Sequence, residues 1–355
     1  GKQTKWGENR KKVKPQSLNL DISLIDMFDP QEHQELKEEI RSRISEDKEI
    51  LESIIKQVRD FGLRNQVMPI SKYHATALSI MASDGGNHKF YFDPFQHQLI
   101  RVVDNTGQVL ARKSIALTTN LNRLFESEFY DPGTFSSPKS ALGRLCVAIS
   151  SKLDEPIRSL HDLSHMIPEP EQAMNPDNSS WVLTYRDLWE WAVLYDQIAN
   201  KNFASDTIIV REGILRSKIF AKRNFLILGD LISESIRKAW DEQRKKIYLV
   251  GVAKKSSVIE KFKLAMMVEE IFPSGQDYYV PISREMEMEA YRWPEFARGR
   301  ECIGQPREEP KFVFGSMFLV RFSGHSASPI RAVDVFDDQK QDANKIIGYL
   351  ANDAF

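Results

Sequence analysis

Two stretches of the chain each carry an apolar run into a carboxylate followed by glycine. "SIMASDGG" ends at Asp84-Gly85-Gly86, and "TIIVREGI" places Glu212 directly before Gly213. In an open sheet, ligands bind beyond the carboxyl ends of the strands, so two such ends side by side would bring both carboxylates into one cleft. Neighbouring carboxylates repel unless a cation balances them. Their hard oxygen ligands suit Mg²⁺ or Mn²⁺, and two such ions about 4 Å apart support in-line attack on a phosphodiester.

The Asp84-Gly85 step has a second interpretation, because Asp-Gly is also a strong hairpin signal. On that interpretation "ATALSIMASDGG" and "HKFYFD" are separate strands joined by a turn. The glycines would then serve the turn rather than the approach of an anionic substrate. The residues alone leave both interpretations open.

A third acid is expected from the amphipathic helix predicted over "SWVLTYRDLWEWAVLYDQIANKN". This segment offers Asp187, Glu190 and Asp196. Glu190 stands between two tryptophans, and a carboxylate on a partly apolar face is unusual unless something pairs with it. A solvated glutamate at the edge of the helix is the alternative.

Further residues have side chains suited to phosphate chemistry. His325, in the predicted loop "RFSGHSASPIR", would assist proton transfer or contact a phosphate, or is simply exposed. Asp334, in "RAVDVF", is a possible further metal ligand or an outward-facing strand residue. Lys254 and Lys255 end a predicted strand where a helix begins, which is a suitable corner for binding phosphate.

The N-terminal part, residues 1 to 66, is predicted to be a basic tail and an amphipathic helical arm. Residues 1 to 16 carry six Lys or Arg against one Glu. Apolar residues from Leu36 to Val58 then recur at spacings of three, four or seven, which predicts one long helix or two shorter ones. Pro30 suits the first turn of that helix, and Gly62 suits its end.

Residues 67 to 355 are predicted to form one α/β domain. Four strands joined by Gly- and Asn-rich turns begin near residue 76, and helices and strands alternate after residue 180. Residues 119 to 180 are interpreted as an insertion of short helices and loops, and residues 273 to 311 as an irregular charged insertion. The fold class that follows is a mixed sheet flanked by helices.

Composition excludes several classes of protein. The chain has 355 residues, 41% hydrophobic residues and a net charge of -1, so any site for a polyanion must be a local patch. Cys146 and Cys302 have no metal-site spacing and are expected to be reduced, buried thiols. No apolar run approaches the length of a membrane span, and we expect a cytoplasmic protein without a membrane partner.

The order of the motifs resembles that of the NurA nuclease family. The matching stretches are "SDGG", "RDLWEWAVLYD", "IIVREGILRSK", "YLVGVAKKSS" and "SGHSASPIRAVDVF", which together span residues 78 to 336. The resemblance implies a ribonuclease H-like core and a nuclease that depends on Mn²⁺ or Mg²⁺. It also implies DNA as substrate, a homodimer, and a HerA-like hexameric ATPase as partner.

The resemblance carries over to particular residues. Asp84 is similar to the first-strand aspartate of the family, Glu190 to its helix glutamate and His325 to its late histidine; Lys254 and Arg331 are similar to its basic residues. Two departures are visible. Glu212 stands where the family usually has Asp, and Met317, Phe318 and Phe322 occupy a stretch where some relatives have Tyr.

These observations predict a metal-dependent DNA nuclease of NurA type. Asp84, Glu190, Glu212 and His325 would be catalytic, the three acids and Asp334 would be the metal ligands, and Lys254, Lys255 and Arg331 would bind DNA. The alternative is a weakened or inactive dimeric adaptor that regulates a HerA-like ATPase, favoured by the Glu212 substitution. A ribonuclease H-like enzyme that acts on RNA is the third interpretation.

Overall fold

The computed structural model describes residues 30–73, 78–92, 95–116, 118–169, 180–293, 312–325 and 328–353. The helices are α1 (Pro30–Asp60), α2 (Leu121–Glu126), α3 (Ala141–Ser150), α4 (Leu160–Leu163), α5 (Ser180–Asn200), α6 (Asn224–Gln243), α7 (Ser257–Val268), α8 (Arg284–Ala290) and α9 (Ala343–Asp353). The strands are β1 (Met68–Pro69), β2 (Leu78–Phe92), β3 (Phe95–Asp104), β4 (Val109–Ala116), β5 (Asp206–Glu212), β6 (Ile247–Ala253), β7 (Tyr278–Pro281), β8 (Gly315–Arg321) and β9 (Arg331–Phe336).

The chain divides into two compact units within α1, between Ser53 and Ile54. In the first unit, the exposed side chains of Glu39 and Arg43 pair across one helical turn at 2.6 Å. In the second unit, α1 ends before Gly62, whose left-handed φ of 64° suits a residue without a side chain. Of the two forms that the apolar spacing left open, the structure has one long helix. The predicted basic tail lies outside the described residues.

One mixed sheet organises the second unit. Its strand order is β1-β7-β8-β9-β6-β5-β2-β3-β4. Strands β2, β3 and β4 form an antiparallel meander, β5 and β6 run parallel to β2, and β9 returns antiparallel to β6. A meander followed by two parallel strands on the far side of its first strand is the ribonuclease H-like arrangement. The predicted fold class is confirmed.

Burial differs between the centre and the meander side of the sheet. Nearly every residue of β6 is buried, as expected for a strand that is covered on both faces. Strand β4 instead alternates, with Ala111 and Ile115 buried and Arg112 exposed. The meander therefore has one face against helices and one face toward solvent.

Helices cover both faces of the sheet centre. On one face, α3, α5 and α6 form a core in which the Phe225 ring stacks on Phe314 at 4.4 Å and meets Trp191 edge-on at 5.1 Å. On the other face, Ile346 and Ile347 of α9 pack against β5, β6 and β9. The described part of residues 119 to 180 adds α2, α3 and α4 to the first core.

Two local predictions are wrong. Strand β2 continues through Asp84, Gly85 and Gly86 to Phe92, so no turn separates "SDGG" from "HKFYFD". The segment from residue 273, interpreted as irregular, contains β7 and α8 within its described part. In both cases pairing with a neighbouring strand or packing against a distant helix overrides the local signal.

Cys146 is a buried free thiol, and burial raises its pKa. Cys302 lies outside the described residues. Across the parts of the chain that the structure describes, no helix has both the length and the apolar character needed to cross a bilayer.

Candidate active site

Asp84 and Glu212 lie level with each other on adjacent strands. The last pair of the parallel β2–β5 ladder is Ser83 with Arg211, so the next residue on each strand is one of the two acids. On its other side, Glu212 pairs with Val252 of β6. The expected meeting of two acidic strand ends at one edge of the sheet is therefore present, although β2 itself continues past that edge.

A cleft of about 290 Å³ opens at this point. Asp84, Glu212, Lys254 and Arg331 line it, together with Asp104 and Asn105 at the end of β3 and mostly apolar residues of β2, β3, β5 and β6. Asp84 and Glu212 are both exposed, and Lys254 Nζ lies 3.6 Å from Glu212 Oε1. Four residues that the sequence singled out thus share one surface, with two negative and two positive side chains.

Gly85 is required by the helix that lies above it. A Cβ added at Gly85 would stand 2.7 Å from Cγ and Cδ of Glu190, and closer still to Oε1. Any side chain at this position would displace Glu190. Successive residues of a strand point to opposite faces, so Gly85 faces α5 while Asp84 faces the cleft. The glycine therefore lets the α5 carboxylate lie directly on the backbone next to Asp84.

Two arginines hold the carboxylate of Glu190. Arg211 Nη2 lies 3.5 Å from Oε2, and Arg186 Nε lies 3.2 Å from Oε1 without the geometry of a hydrogen bond. The Glu190 side chain is only 14% exposed. Burial raises the pKa of Glu190 to about 7; Asp187 and Asp84 also raise it, while the two arginines oppose the shift. Burial of the carboxylate outweighs its ion pairs.

Arg211 connects the helix acid to the strand acid, and sequence reasoning missed it. Its guanidinium stacks over the ring of Trp191 at 4.3 Å, and Nη1 donates hydrogen bonds to the carbonyls of Glu212 at 3.0 Å and Ile214 at 3.3 Å. Burial lowers the pKa of Arg211 despite the nearby Glu190. The sequence feature that could have pointed to Arg211 is a charged residue at the end of the apolar run of β5.

A tight turn after β5 fixes the position of Glu212. Gly213 has φ of 102°, which a residue with a side chain rarely adopts, and a Cβ there would lie 2.6 Å from Arg211 Nη1. Gly251 of β6 lets this turn pass close by, since its own Cβ would stand 3.1 Å from Ile214 Cα. Three glycines therefore shape the two acidic strand ends.

The other acids of α5 have different roles. Asp187 accepts a hydrogen bond from Arg186 at 2.9 Å and is one third exposed. Asp196 instead forms a two-bond ion pair with Arg144 of α3, one bond being 2.7 Å long. Of the three acids that the sequence offered on this helix, Glu190 is the one that lies against β2 next to Asp84.

Asp334 is buried away from the cleft. Its side chain is 0% exposed, accepts a hydrogen bond from Leu215 N at 2.9 Å, and lies 3.9 Å from Arg216. Burial raises its pKa to about 6, against the effect of Arg216. The structure therefore places Asp334 in a structural ion pair and not beside Asp84 and Glu212.

His325 and Lys255 are both exposed at the same edge of the sheet. His325 lies in the loop between β8 and β9, and Lys255 lies in the turn between β6 and α7. Neither residue is among those that line the cleft.

The carboxylates of the cleft suit one mode of metal binding but not another. Within the described ranges, no three side chains among His, Cys, Asp and Glu are arranged to hold one metal ion. Asp84, Glu212 and Asp104 bring carboxylates to the cleft, and Asp104 Oδ1 already accepts hydrogen bonds from Thr106 and Gln108. Hard carboxylate oxygens suit Mg²⁺ or Mn²⁺, and Mg²⁺ is commonly bound through one or two carboxylates together with waters and substrate phosphates. The donor set of the cleft fits that mode of binding.

The structure also contains a larger cavity, of about 450 Å³, between α7 and the end of β8. Its lining includes Arg321, Phe272 and Met266, and none of the predicted site residues. Size alone therefore does not identify the site.

No protein-family model matches this chain, and no curated protein matches it. Among solved structures, the chain is similar to the NurA nuclease from Sulfolobus solfataricus, with 11% identity over 91% of this chain and 86% of that one and a TM-score of 0.39. It is also similar to a NurA bound to dAMP and manganese, with 10% identity over 87% and 88% of the two chains and a TM-score of 0.34. The solved structures that this chain is similar to are NurA nucleases, the family that the order of its motifs resembles.

Proposed function

We propose that this chain is a metal-dependent deoxyribonuclease of NurA type that cleaves phosphodiester bonds at the cleft beside β2 and β5. One observation carries the proposal: Asp84 and Glu212 lie level on adjacent strands and line the same cleft as Lys254 and Arg331. Two acids suit a divalent cation, and two basic side chains suit the phosphates of the substrate.

In this proposal Asp84 and Glu212 hold Mn²⁺ or Mg²⁺. Such a cation, when bound, neutralises phosphate charge and lowers the pKa of a bound water. Glu212 has one methylene more than Asp, and its half-exposed side chain forms an ion pair with the exposed Lys254, so it can adjust to a ligand. Asp84 is shorter and is fixed by the β2 backbone.

Glu190 is the third acid of the proposed site. Glu190 lies on the α5 side of β2, opposite the cleft, and Arg186 and Arg211 hold its carboxylate oxygens. Ligation of a cation in the cleft by Glu190 therefore requires one of these ion pairs to exchange for the metal and the carboxylate to move past the strand. Without that exchange, Glu190 acts through the electrostatic potential beside Asp84, whose charge contributes to raising the pKa of Glu190.

We assign the substrate phosphates to Lys254 and Arg331 at the cleft, with Lys255 and His325 as further contacts along the same edge. Contacts to phosphates carry no sequence information, and each one makes binding weaker at high salt. We expect cleavage that is largely independent of DNA sequence. His325 would position a phosphate or transfer a proton.

The partners follow from the order of the motifs. We propose a homodimer that works with a HerA-like hexameric ATPase in DNA end processing, in repair or in defence against phage. Sedimentation of the chain alone, and then mixed with such an ATPase, tests both assemblies.

A second candidate function is an adaptor that binds DNA or the ATPase without cutting. The observation that favours it is that Glu190 and Glu212 each pair with a basic side chain. A stable complex with the ATPase that leaves linear DNA intact in Mn²⁺ and in Mg²⁺ would establish this function.

The test of the nuclease is cleavage of linear duplex and single-stranded DNA in Mn²⁺, in Mg²⁺ and with chelator, with and without the ATPase. Wild type is compared with Asp84→Asn, and an equivalent RNA substrate tests the ribonuclease alternative. We expect metal-dependent DNA cleavage that falls by more than about 100-fold in the variant, which exceeds the usual effect of outer-shell residues. Full cleavage by Asp84→Asn would refute the proposed site.

A further inference from the structure

The packing of the described residues does not explain why position 86 is a glycine. Gly85 makes room for Glu190, but at Gly86 no heavy atom of the described residues lies within 4 Å of where a Cβ would stand. Its φ is not positive, so the backbone does not require glycine either. Glycine weakens the interior of a strand, and it often marks a place where a ligand or another backbone approaches closely.

Two arginines lie next to this bare position. In the meander, Gly86 pairs with Arg101 of β3, and Arg101 pairs in turn with Arg112 of β4. Both arginines are exposed. Within the described residues, neither guanidinium has a hydrogen bond or an ion pair. Like charges directly opposite each other on neighbouring strands are destabilising, so this pair favours an anionic ligand.

This surface is continuous with the cleft. Side chains alternate along β2, so Asp84 and Gly86 face the same side, about 7 Å apart along the strand. Val103, which pairs with Asp84 and lines the cleft, is two residues from Arg101 on the same face of β3. The opposite face of the meander is closed by α5 through Ile100 and Val102.

Aromatic side chains extend the same face beyond Gly86. His88 and Phe90 follow at two-residue steps along β2, with ring centroids 4.6 Å apart in an edge-on arrangement. Phe90 is 39% exposed on this face. Exposed aromatic rings beside basic side chains are how sheets bind single-stranded nucleic acid, because bases stack on the rings and phosphates contact the cations.

We propose that the open face of the β2-β3-β4 meander binds a single strand of DNA and leads it to the cleft. Arg101 and Arg112 contact the phosphates, Gly86 lets the backbone pass close to the sheet, and Phe90 stacks on a base. The inference rests on the proposed nuclease function, because the cleft at Asp84 defines where the strand arrives.

The test is the affinity of the full-length protein for a fluorescent single-stranded oligothymidylate, measured by anisotropy with chelator at several salt concentrations. The variants are Arg101→Gln, Arg112→Gln, their double variant, Gly86→Val and Phe90→Ala. Arg158→Gln is the matched control, since Arg158 is an exposed arginine beside Ile157, which belongs to the core under the opposite face.

We expect the double arginine variant to bind at least tenfold more weakly. The slope of log affinity against log salt should fall by roughly 0.7 for each arginine removed. Phe90→Ala should lose roughly fivefold or more in affinity with the salt slope unchanged, because stacking is not ionic. Gly86→Val should weaken binding while thermal unfolding shows the protein to be folded.

Unchanged affinity and slope in the double variant would overturn the inference, as would an equal loss in Arg158→Gln. The outcome is independent of the nuclease test. If Asp84→Asn loses cleavage while the arginine variants bind normally, the meander face is not the binding surface and the proposed active site stands. If the arginine variants lose binding while Asp84→Asn still cuts DNA, the meander face binds the strand and the assigned cleavage site is wrong.

Discussion

Arg211 Nη2 lies 3.5 Å from Glu190 Oε2, while Nη1 of the same guanidinium donates to the carbonyl of Glu212 at 3.0 Å. One largely buried side chain therefore contacts both the carboxylate of the helix acid and the backbone of the second strand acid. Its stacking on Trp191 fixes its plane. Arg211 is a positioning residue: it orders two acids of the proposed site and does not line the cleft.

We expect Arg211→Met to lower the free energy of unfolding by about 1–3 kcal/mol, because it removes one of the two arginines that pair with the buried Glu190. A double-mutant cycle of Arg211→Met and Glu190→Gln, measured by urea denaturation, should give a coupling energy between the two side chains of about 1–3 kcal/mol. The control cycle uses Arg144→Met and Asp196→Asn, a more exposed pair in which coupling should be below about 1 kcal/mol. Equal coupling in both cycles would contradict the special role of Arg211.

Gly85 and Gly86 should respond differently to the same change. In Gly85→Ala the new methyl group collides with Glu190, so we expect a loss of about 1–3 kcal/mol in unfolding free energy and weaker cleavage. In Gly86→Ala the methyl group meets open space, so stability should stay the same or rise by about 0.4–1 kcal/mol. Chemical denaturation of both variants checks this, and equal losses would show that the strand backbone, not Glu190, requires glycine.

The stability of the protein should depend on the protonation of Glu190. Its folded pKa of about 7 lies above the ordinary value of 4.5, so between these pH values the folded protein retains a proton that the unfolded chain has lost. Stability is therefore highest at the acid end of this window and falls as pH rises toward 7. Wild type should lose up to about 3 kcal/mol more than Glu190→Gln across the window.

The measurement is denaturation at several pH values in chelator. Asp334 titrates in the same range, with a pKa of about 6, so the difference between wild type and Glu190→Gln isolates Glu190. Glu234→Gln, which removes an exposed carboxylate, is the control and should follow the wild-type profile. Identical profiles for wild type and Glu190→Gln would contradict the shifted pKa.

Variants of Asp84 and Asp334 should have opposite effects on metal affinity and on stability. Asp334→Asn changes a fully buried acid paired with Arg216, so we expect several kcal/mol of lost stability and unchanged metal affinity in the folded fraction. Asp84→Asn changes an exposed residue, so stability should change by less than about 0.5 kcal/mol while metal affinity falls. Calorimetric titration with Mn²⁺ and thermal unfolding check both. Loss of Mn²⁺ binding in folded Asp334→Asn would restore Asp334 as a ligand.

Lys254 and Lys255 form a matched pair at the end of β6. Lys254 lines the cleft and Lys255 does not, although both are exposed. We expect Lys254→Ala to reduce the salt slope of duplex binding by about 0.9 and Lys255→Ala to reduce it less. Binding titrations over a range of salt concentrations check this, and a larger effect at Lys255 would place the phosphates outside the cleft.

Much of the fold could be predicted from the sequence because its signals are local. Apolar periodicity and capping residues locate α1, α5, α6, α7 and α9, and β-branched runs locate β5 and β6. Alternating residues predict the meander as well, although the Asp-Gly signal wrongly divides its first strand at Asp84-Gly85. That error has a physical cause, since β3 pairs with β2 on both sides of the glycines and keeps them extended.

The residue types alone identify the acidic and basic side chains and show that two acids end apolar runs beside glycines. The folded chain is needed to see that Asp84 and Glu212 share a cleft, that Arg211 and Arg186 hold Glu190, and that Asp334 is buried in an ion pair. The reason is that strand register and the placement of α5 depend on contacts between residues far apart in the chain. Local patterns of residue type do not specify which side chain from a distant part of the chain packs beside them.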